Sequence, residues 1–352
     1  MSAIGSDLDG QVTGGPGPAV AATVSDDSKY DQNQIAAVPP LKHTKDDEVP
    51  LPQVAPRALM RTAASITRTW SQLRAKNQTD PKWPLPPLVH TKWRDTAGVP
   101  SAAAACLAAW REKNPGVKVL VWTDRDASEF VMTHHPHVYD TYQRVPRPVM
   151  RADLVRALLL MTYGGMWIDI DACPLQPMSH WNLTAQNALV VGVEADMESP
   201  LWKEHFARQF QFLTWTFAAV PGHPAMSMFA RRALSAVEAR LNDAAPIGDH
   251  DVLDLTGPGM FTDAIMEYLG MHGDTSFKSM HFMPERMHFG DAVVMPLWSF
   301  SPGSWQRDSS RPWYSRTDQD PEALVKHLFL GSWRDNKDRS DGSMPNSTTT
   351  SS

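Results

Sequence analysis

The sequence predicts an α/β fold built on a largely parallel sheet. Short apolar runs of strand length alternate with longer stretches of helical periodicity, the pattern that places helices over a parallel sheet. One apolar run, from Met166, leads straight into Asp169-Ile170-Asp171, and ligands in such sheets gather at the carboxyl ends of strands. The aromatic residues mark the extent of the fold. Of 13 Trp, 12 Phe and 6 Tyr, all but Tyr30 lie between Trp70 and Trp333. Large apolar side chains are what a chain buries to offset its ordering entropy. The folded unit is therefore expected over residues 80–334, after a disordered head, 1–79, and before a disordered tail, 335–352.

The elements follow in order. Gly and Pro punctuate the head as far as Pro56, a composition that reads as linker. Ala58 to Ala75, rich in Arg, Thr and Ala, reads as a weak helix. Leu88-Val89-His90 is a short buried strand. Ser101 caps an Ala-rich helix that runs to Lys113 and stops at Asn114-Pro115-Gly116. Val117 to Trp122 is a β-branched strand. Val149 to Tyr163 is a strong helix, with Leu154, Leu158 and Met161 at helical spacing and Gly164-Gly165 ending it. Met166 to Ile170 and Leu189 to Val193 are strands. Helices are expected around Trp202 to Phe212 and over Pro224 to Leu241.

Charge and cysteine content exclude several classes. Lys and Arg number 33 against 39 Asp and Glu, a net charge of −6. A general nucleic-acid or anionic-membrane binder would carry a basic excess, so no nucleic-acid partner is expected. Two cysteines, Cys106 and Cys173, exclude a disulfide scaffold and a Cys-rich zinc module. Cys173 reads as a small buried residue, and pairing between the two is left open. No run approaches the roughly 20 apolar residues of a spanning helix, so no membrane span is expected. Asn77, Asn182 and Asn346 stand in glycosylation sequons, which hints at a secretory lumen.

The chemistry centres on residues 151–171. On a strand, positions i and i+2 face the same side, so Asp169 and Asp171 can share one site. Two carboxylates that close call for a positive charge between them, which a hard divalent cation supplies. Asp153 and Arg156 are i and i+3 on one helix and share a face. An Arg beside a carboxylate suits a sugar hydroxyl and a phosphate oxygen. Each pair has a plainer reading: a solvated turn at a strand end, and an exposed intrahelical ion pair.

Taken together, Arg151-Ala-Asp153-Leu-Val-Arg156 and Tyr163-Gly-Gly-Met-Trp-Ile-Asp169-Ile-Asp171 resemble the sugar-binding Asp-X-Asp region of glycosyltransferase family 32. Blocks on both sides extend the resemblance over residues 84–334 to the fungal initiation-specific α-1,6-mannosyltransferase branch. They include Leu88-Val-His-Thr-Lys-Trp93, Val121-Trp-Thr-Asp124, Val191-Gly-Val-Glu194-Ala-Asp196, Thr256-Gly-Pro-Gly-Met-Phe-Thr-Asp263 and Val325-Lys-His327-Leu-Phe-Leu-Gly-Ser332-Trp333.

The resemblance implies a GT-A type fold, Mn²⁺, a GDP-mannose donor, retention of the anomeric configuration, and transfer in α-1,6 linkage to a mannose-containing acceptor, an N-glycan. It implies that Asp169 and Asp171 bind metal and diphosphate, with His327 a further ligand. Asp153 and Arg156 would hold the donor sugar, and Ser332 and Trp333 would close over the diphosphate. Val89, His90, Thr91, Thr123 and Asp124 would meet the nucleotide. Relatives of this branch sit in the Golgi behind an N-terminal anchor, which this sequence does not display.

Glu194 and Asp196 follow a predicted strand and could face the reacting carbon or the acceptor; a charged loop is the even alternative. His223 could position an acceptor or simply bond to backbone. Asp263 could contact an acceptor or serve a helix's first turn. His134, His135 and His137 read as surface loop rather than a metal cluster, and Trp202, Trp215 and Trp298 as core. Competing functions are a haloacid-dehalogenase-like phosphotransferase, a transferase using a UDP-sugar or a sphingolipid acceptor, and a catalytically silent glycan-binding protein. The first wants Thr or Val where Cys173 stands.

Overall fold

A computed structural model describes residues 48–330, apart from 81, 96, 201, 244–245 and 304–315. Strand β1 (Glu48–Val49) precedes helix α1 (Pro56–Ala75). Then come β2 (Leu88–Lys92), β3 (Val99–Pro100), α2 (Ser101–Lys113), β4 (Lys118–Trp122), α3 (Asp124–His134), α4 (Tyr139–Arg144) and α5 (Pro148–Tyr163). The middle of the chain gives β5 (Gly165–Ile168), β6 (Ala172–Pro174), β7 (Leu189–Asp196), α6 (Trp202–His205), β8 (Phe210–Phe212) and β9 (Thr216–Ala219). Helices α7 (Pro224–Leu241), α8 (Asp249–Leu255), α9 (Pro258–Gly270) and α10 (Phe277–Met280) lead to β10 (Met287–Phe289), β11 (Ala292–Met295), α11 (Leu297–Phe300) and β12 (Val325–His327).

The main sheet runs β10-β11-β7-β9-β5-β2-β4, with β8 added beside β7. β4, β2 and β5 are parallel, β11 is parallel to β7, and β9 is antiparallel to both β5 and β7. Five strands thus point the same way, with β9 and β10 reversed. This is the α/β architecture with a mostly parallel central sheet that the sequence predicts. Side chains alternate between the two faces. One face, carrying Leu88, Trp167, Val191 and Phe217, packs under α3, α5, α7 and α9. The other, carrying Val89, Met166, Ile168 and Val190, packs with Trp110 of α2, Trp181 and Phe300.

The turn from α5 into β5 depends on glycine. Gly164 and Gly165 have φ of 63° and 95°, a region that disfavours side chains. A Cβ on Gly165 would lie 2.6 Å from the carbonyl oxygen of Leu88 on the neighbouring strand. The two glycines stop the helix and let β5 enter the sheet within one residue.

Three expectations change. The head expected to be disordered over 1–79 contains a formed helix where the sequence reads a weak one. α1 is a 20-residue helix that buries Leu59, Met60, Ala63 and Trp70, and the Trp70 indole donates to the carbonyl of Pro84. Its amphipathic spacing, not its propensity, supplies the stability. Ser101 begins α2 instead of capping it; Pro100 holds the cap position and no side chain bonds there. Between Trp202 and Phe212 only one turn is helical, and Phe210–Phe212 pairs with β7 as β8. Among the described residues no helix is long and apolar enough to cross a membrane.

Candidate functional site

The site forms where β5 ends. The strand stops at Ile168, so Asp169 and Asp171 stand in a turn and not on the strand as their spacing suggests. The Asp169 N–H donates to the carbonyl of Trp215, and the Ala172 N–H donates to the carbonyl of Asp169. This turn still directs both carboxylates to one place. β6 then pairs antiparallel with β12, setting His327 opposite Ala172. The result brings a residue 156 positions downstream of Asp171 to within 3.0 Å of its carboxylate, Nε2 to Oδ1. Ligand atoms of Asp169, Asp171 and His327 all lie within 4.8 Å of one another.

Each member is held from behind. Asp171 Oδ2 accepts the Leu330 N–H at 2.9 Å, and its carbonyl accepts the Leu328 N–H. The His327 ring stacks on Trp215 with centroids 5.0 Å apart. Asp169 Oδ1 accepts the Trp167 indole N–H at 2.9 Å. Cys106 of α2 and Cys173 of β6 form a disulfide, and the Trp110 indole donates to the carbonyl of Ala172 at 2.8 Å. Cys173 is therefore a tie between β6 and α2, not merely a small buried residue.

Asp153 and Arg156 are not an exposed pair. Both are buried, and Arg156 lies 2.9 Å from Asp153 and 3.5 Å from Asp169. Arg156 also donates to the carbonyl of Thr214 at 2.5 Å and stacks over Trp167. Asp153 accepts the Thr256 hydroxyl at 2.8 Å. Arg156 thus links the Asp153 pocket to the metal-type cluster.

Burial and neighbouring charges oppose one another at this site. Burial pushes the Asp153 carboxyl up to about 7, against the pull of Arg156 and Thr256. Burial also works against ionised Asp171, but His327 and the Leu330 N–H outweigh it and hold Asp171 below the usual carboxylate range. Burial would lower His327, yet Asp171, with Asp169 and Glu194, raises it. Two buried donors, Arg156 Nε and His327 Nδ1, have no hydrogen-bond partner among the described residues, while the Trp215 indole acts on Glu194. Buried donors are ordinarily satisfied, so their gathering around two aspartates marks a place for an oxygen-rich ligand. Two carboxylates and an imidazole suit a divalent metal ion.

Other expected residues divide. Glu194 lies beside the site: burial raises its carboxyl above the usual range against the pull of Gln211, His327 and the Trp215 indole, and its charge helps to raise His327. Asp196 does not; it is buried, accepting the Phe282 N–H at 2.6 Å and pairing with His281. Asp263 forms a bidentate pair with Arg208, at 2.9 and 2.7 Å. His223 caps α7 through the Ala225 N–H. It follows β9 at Ala219, which pairs with Gly165, so it lies at the opposite end of the sheet from Asp169.

Val89 is core, and His90 is locked inside it, bonded to the Gly164 carbonyl and the Trp122 indole. The alternation of β2 leaves Thr91 buried near its carboxyl end, its hydroxyl without a partner among the described residues. Thr123 caps α3 in a capping box with Asp126, and Asp124 pairs with Lys92. Ser332 and Trp333 lie outside the described residues. His134 bonds Tyr163 and His135 bonds Thr162, so these histidines serve packing and are not a bare surface loop. Trp215 is the residue missed. Its indole is core-like in sequence, and only its position between Asp169 and His327 reveals a site role.

Residues 100–189 match the model of the family described as the glycosyltransferase sugar-binding region containing a DXD motif. The chain is 34% identical over 238 residues to an initiation-specific α-1,6-mannosyltransferase of Schizosaccharomyces pombe, covering 64% of this chain and 58% of that one. It is 28% identical to the protein of the same description in Candida albicans, covering 75% and 76%. The chain thus spans less than two thirds of the S. pombe relative. A solved structure titled PaToxG Glycosyltransferase is similar at a TM-score of 0.39 and 17% identity, over 64% of this chain and 83% of that one. The resemblance to glycosyltransferase family 32 read from the sequence is borne out.

Proposed function

We propose that this chain, which carries the Asp-X-Asp sugar-binding region of the glycosyltransferases, is a retaining mannosyltransferase. It moves mannose from GDP-mannose to a mannose-containing glycan, an N-glycan, in α-1,6 linkage, with Mn²⁺ as its metal. The observation that carries the reading is the convergence of Asp169, Asp171 and His327 beside the buried Asp153–Arg156 pair.

Asp169, Asp171 and His327 would hold the ion, which when bound offsets the negative charge of the diphosphate. Arg156 fixes the orientation of Asp169 and keeps Nε for the donor. Asp153, pinned by Thr256, presents its remaining lone pairs toward a sugar hydroxyl. The Trp215 indole supports the Glu194 carboxylate beside it. Such preorganised groups act most strongly in a site shielded from water. For retention, the acceptor attacks the same face that the diphosphate leaves, and the departing phosphate takes the acceptor's proton.

A panel of GDP-mannose, UDP-galactose and UDP-glucose, with and without Mn²⁺, tests this by release of free nucleotide. Turnover is expected with GDP-mannose and Mn²⁺, and Asp171→Ala should lower it by at least about 100-fold. Equal turnover without metal, or an unaffected Asp171→Ala, would refute the reading. The Cys106–Cys173 disulfide favours an oxidising compartment, in keeping with residence in the Golgi lumen.

A further inference from the structure

We infer that Gln211 is a positioning residue of this site, which orients the Glu194 carboxylate toward the transferred sugar; the inference rests on the transferase reading above. Gln211 is buried at 2% exposure. Its Oε1 accepts two backbone N–H groups, from Ala207 at 2.8 Å and Arg208 at 3.1 Å. A carbonyl oxygen can accept both, but an NH₂ group cannot. The two N–H groups therefore dictate which way the amide lies. Its Nε2 must then face the other way, where it donates to Glu194 Oε2 at 2.8 Å.

The loop that presents those N–H groups is itself clamped. Arg208 reaches Asp254 at 2.7 Å and makes its bidentate bond to Asp263. α8 and α9 thus hold Arg208, Arg208 holds the loop, the loop holds Gln211, and Gln211 holds Glu194. Asp263, read from sequence as either an acceptor contact or a first-turn acid, acts at the far end of this chain of contacts.

The same short segment leads to the reaction centre. Gln211 stands opposite Ala195 on β7, and the Phe212 N–H donates to the Thr262 hydroxyl. Three residues on, the Thr214 carbonyl accepts from Arg156 and the Trp215 carbonyl accepts from Asp169. Glu194 occupies the carboxyl half of β7, as Asp169 follows the carboxyl end of β5. A carboxylate fixed there faces the charge that develops on the anomeric carbon as the diphosphate leaves, an oxocarbenium-like state. Its interaction strengthens in the transition state and raises kcat more than binding. No bond to Glu194 is required for this role.

Gln211→Glu tests it. The new carboxylate keeps one oxygen for the two N–H groups but sets the other against Glu194 Oε2 in place of a donor. Nucleotide release from GDP-mannose with Mn²⁺ is measured for wild type, Q211E, E194Q and the double variant, with melting temperatures for all four. Expected are a loss in kcat of about 10- to 100-fold for Q211E, with KM for the donor within about twofold. In the double variant the carboxylate introduced at position 211 can accept from the amide introduced at position 194, so adding Q211E to E194Q should cost nothing further. A merely structural role would cost the same factor in both backgrounds, and that result overturns the inference. So does wild-type kcat in Q211E or in E194Q.

Should Q211E fail to fold, Arg208→Lys loosens the same loop from outside. It should lower kcat by a smaller factor, about threefold to tenfold, again only when Glu194 is present. An equal loss in the E194Q background overturns the inference. A wild-type chain that releases nucleotide from no sugar donor overturns the transferase reading, and this inference with it.

Discussion

Removing the Cys106–Cys173 bond, as the double variant Cys106→Ala/Cys173→Ala, should weaken both the fold and the metal-type cluster. The bridge closes a loop of 67 residues. The loop-entropy relation gives about 14.6 cal/mol/K for that length, or about 4 kcal/mol at room temperature. A domain of about 280 residues has an unfolding entropy near 0.6 kcal/mol/K, so the melting temperature should fall by about 7 °C. A second, separable effect follows from register. Lys326 stands opposite Cys173 and His327 opposite Ala172, so β6 is the rail on which the histidine is aligned. Freeing that rail from α2 should weaken Mn²⁺ binding about 10- to 100-fold, the usual cost of disturbing the surroundings of metal ligands. The assay is thermal melting of both proteins with and without Mn²⁺ at one fixed concentration. Alkylation of protein taken directly from cells should also find both wild-type cysteines blocked. A variant that melts within about 1 °C of wild type would refute the stability argument. An unchanged Mn²⁺-induced rise in melting temperature would refute the alignment argument.

Two further predictions concern the frame. His90 is fully buried, and burial brings it down to about 4, against a weaker opposing bond to Gly164. The folded state therefore keeps it neutral while the unfolded state binds a proton below 6.5. Stability is full above 6.5 and should fall by about 3 kcal/mol as pH drops to 4, and His90→Gln should flatten this slope in denaturant titrations across that range; an unchanged slope would rule His90 out as its source. Gly165→Ala places a methyl against the Leu88 carbonyl at a φ of 95°, so it should cost about 2 kcal/mol or more; a melting temperature equal to that of wild type would show the turn to be more tolerant than its geometry indicates.

Much of this was legible in sequence because the signals are local. Helix α5 announces itself by spacing and by its glycine stop, and the Asp-X-Asp turn by two acids after an apolar run. The metal-type trio was legible only through resemblance, because β12 meets β6 across a wide sequence interval and no periodicity encodes that pairing. His90 misled because a histidine at a strand end looks like a ligand; its two bonds come from Gly164 and Trp122, on two different neighbouring segments. Asp196 and Asp263 misled for a related reason, since carboxylates at strand and helix ends suit a site as well as a partner. Trp215 and Gln211 gave no signal at all. Their roles depend on a short segment that bonds to α5, β5, β7 and α9 at once.

The pairing of β12 with β6 sets an order of events during synthesis. Cys106 and Cys173 leave the ribosome well before His327, which follows Asp171 by 156 residues. At 5–20 residues per second, that interval is roughly 8 to 30 seconds. Throughout it the nascent chain can carry its aspartate pair and its disulfide without the imidazole that completes the cluster. The bridge can thus fix β6 against α2 first, so that β12 docks on an edge already in place. The Asp169, Asp171 and His327 cluster cannot be complete before β12 has been made.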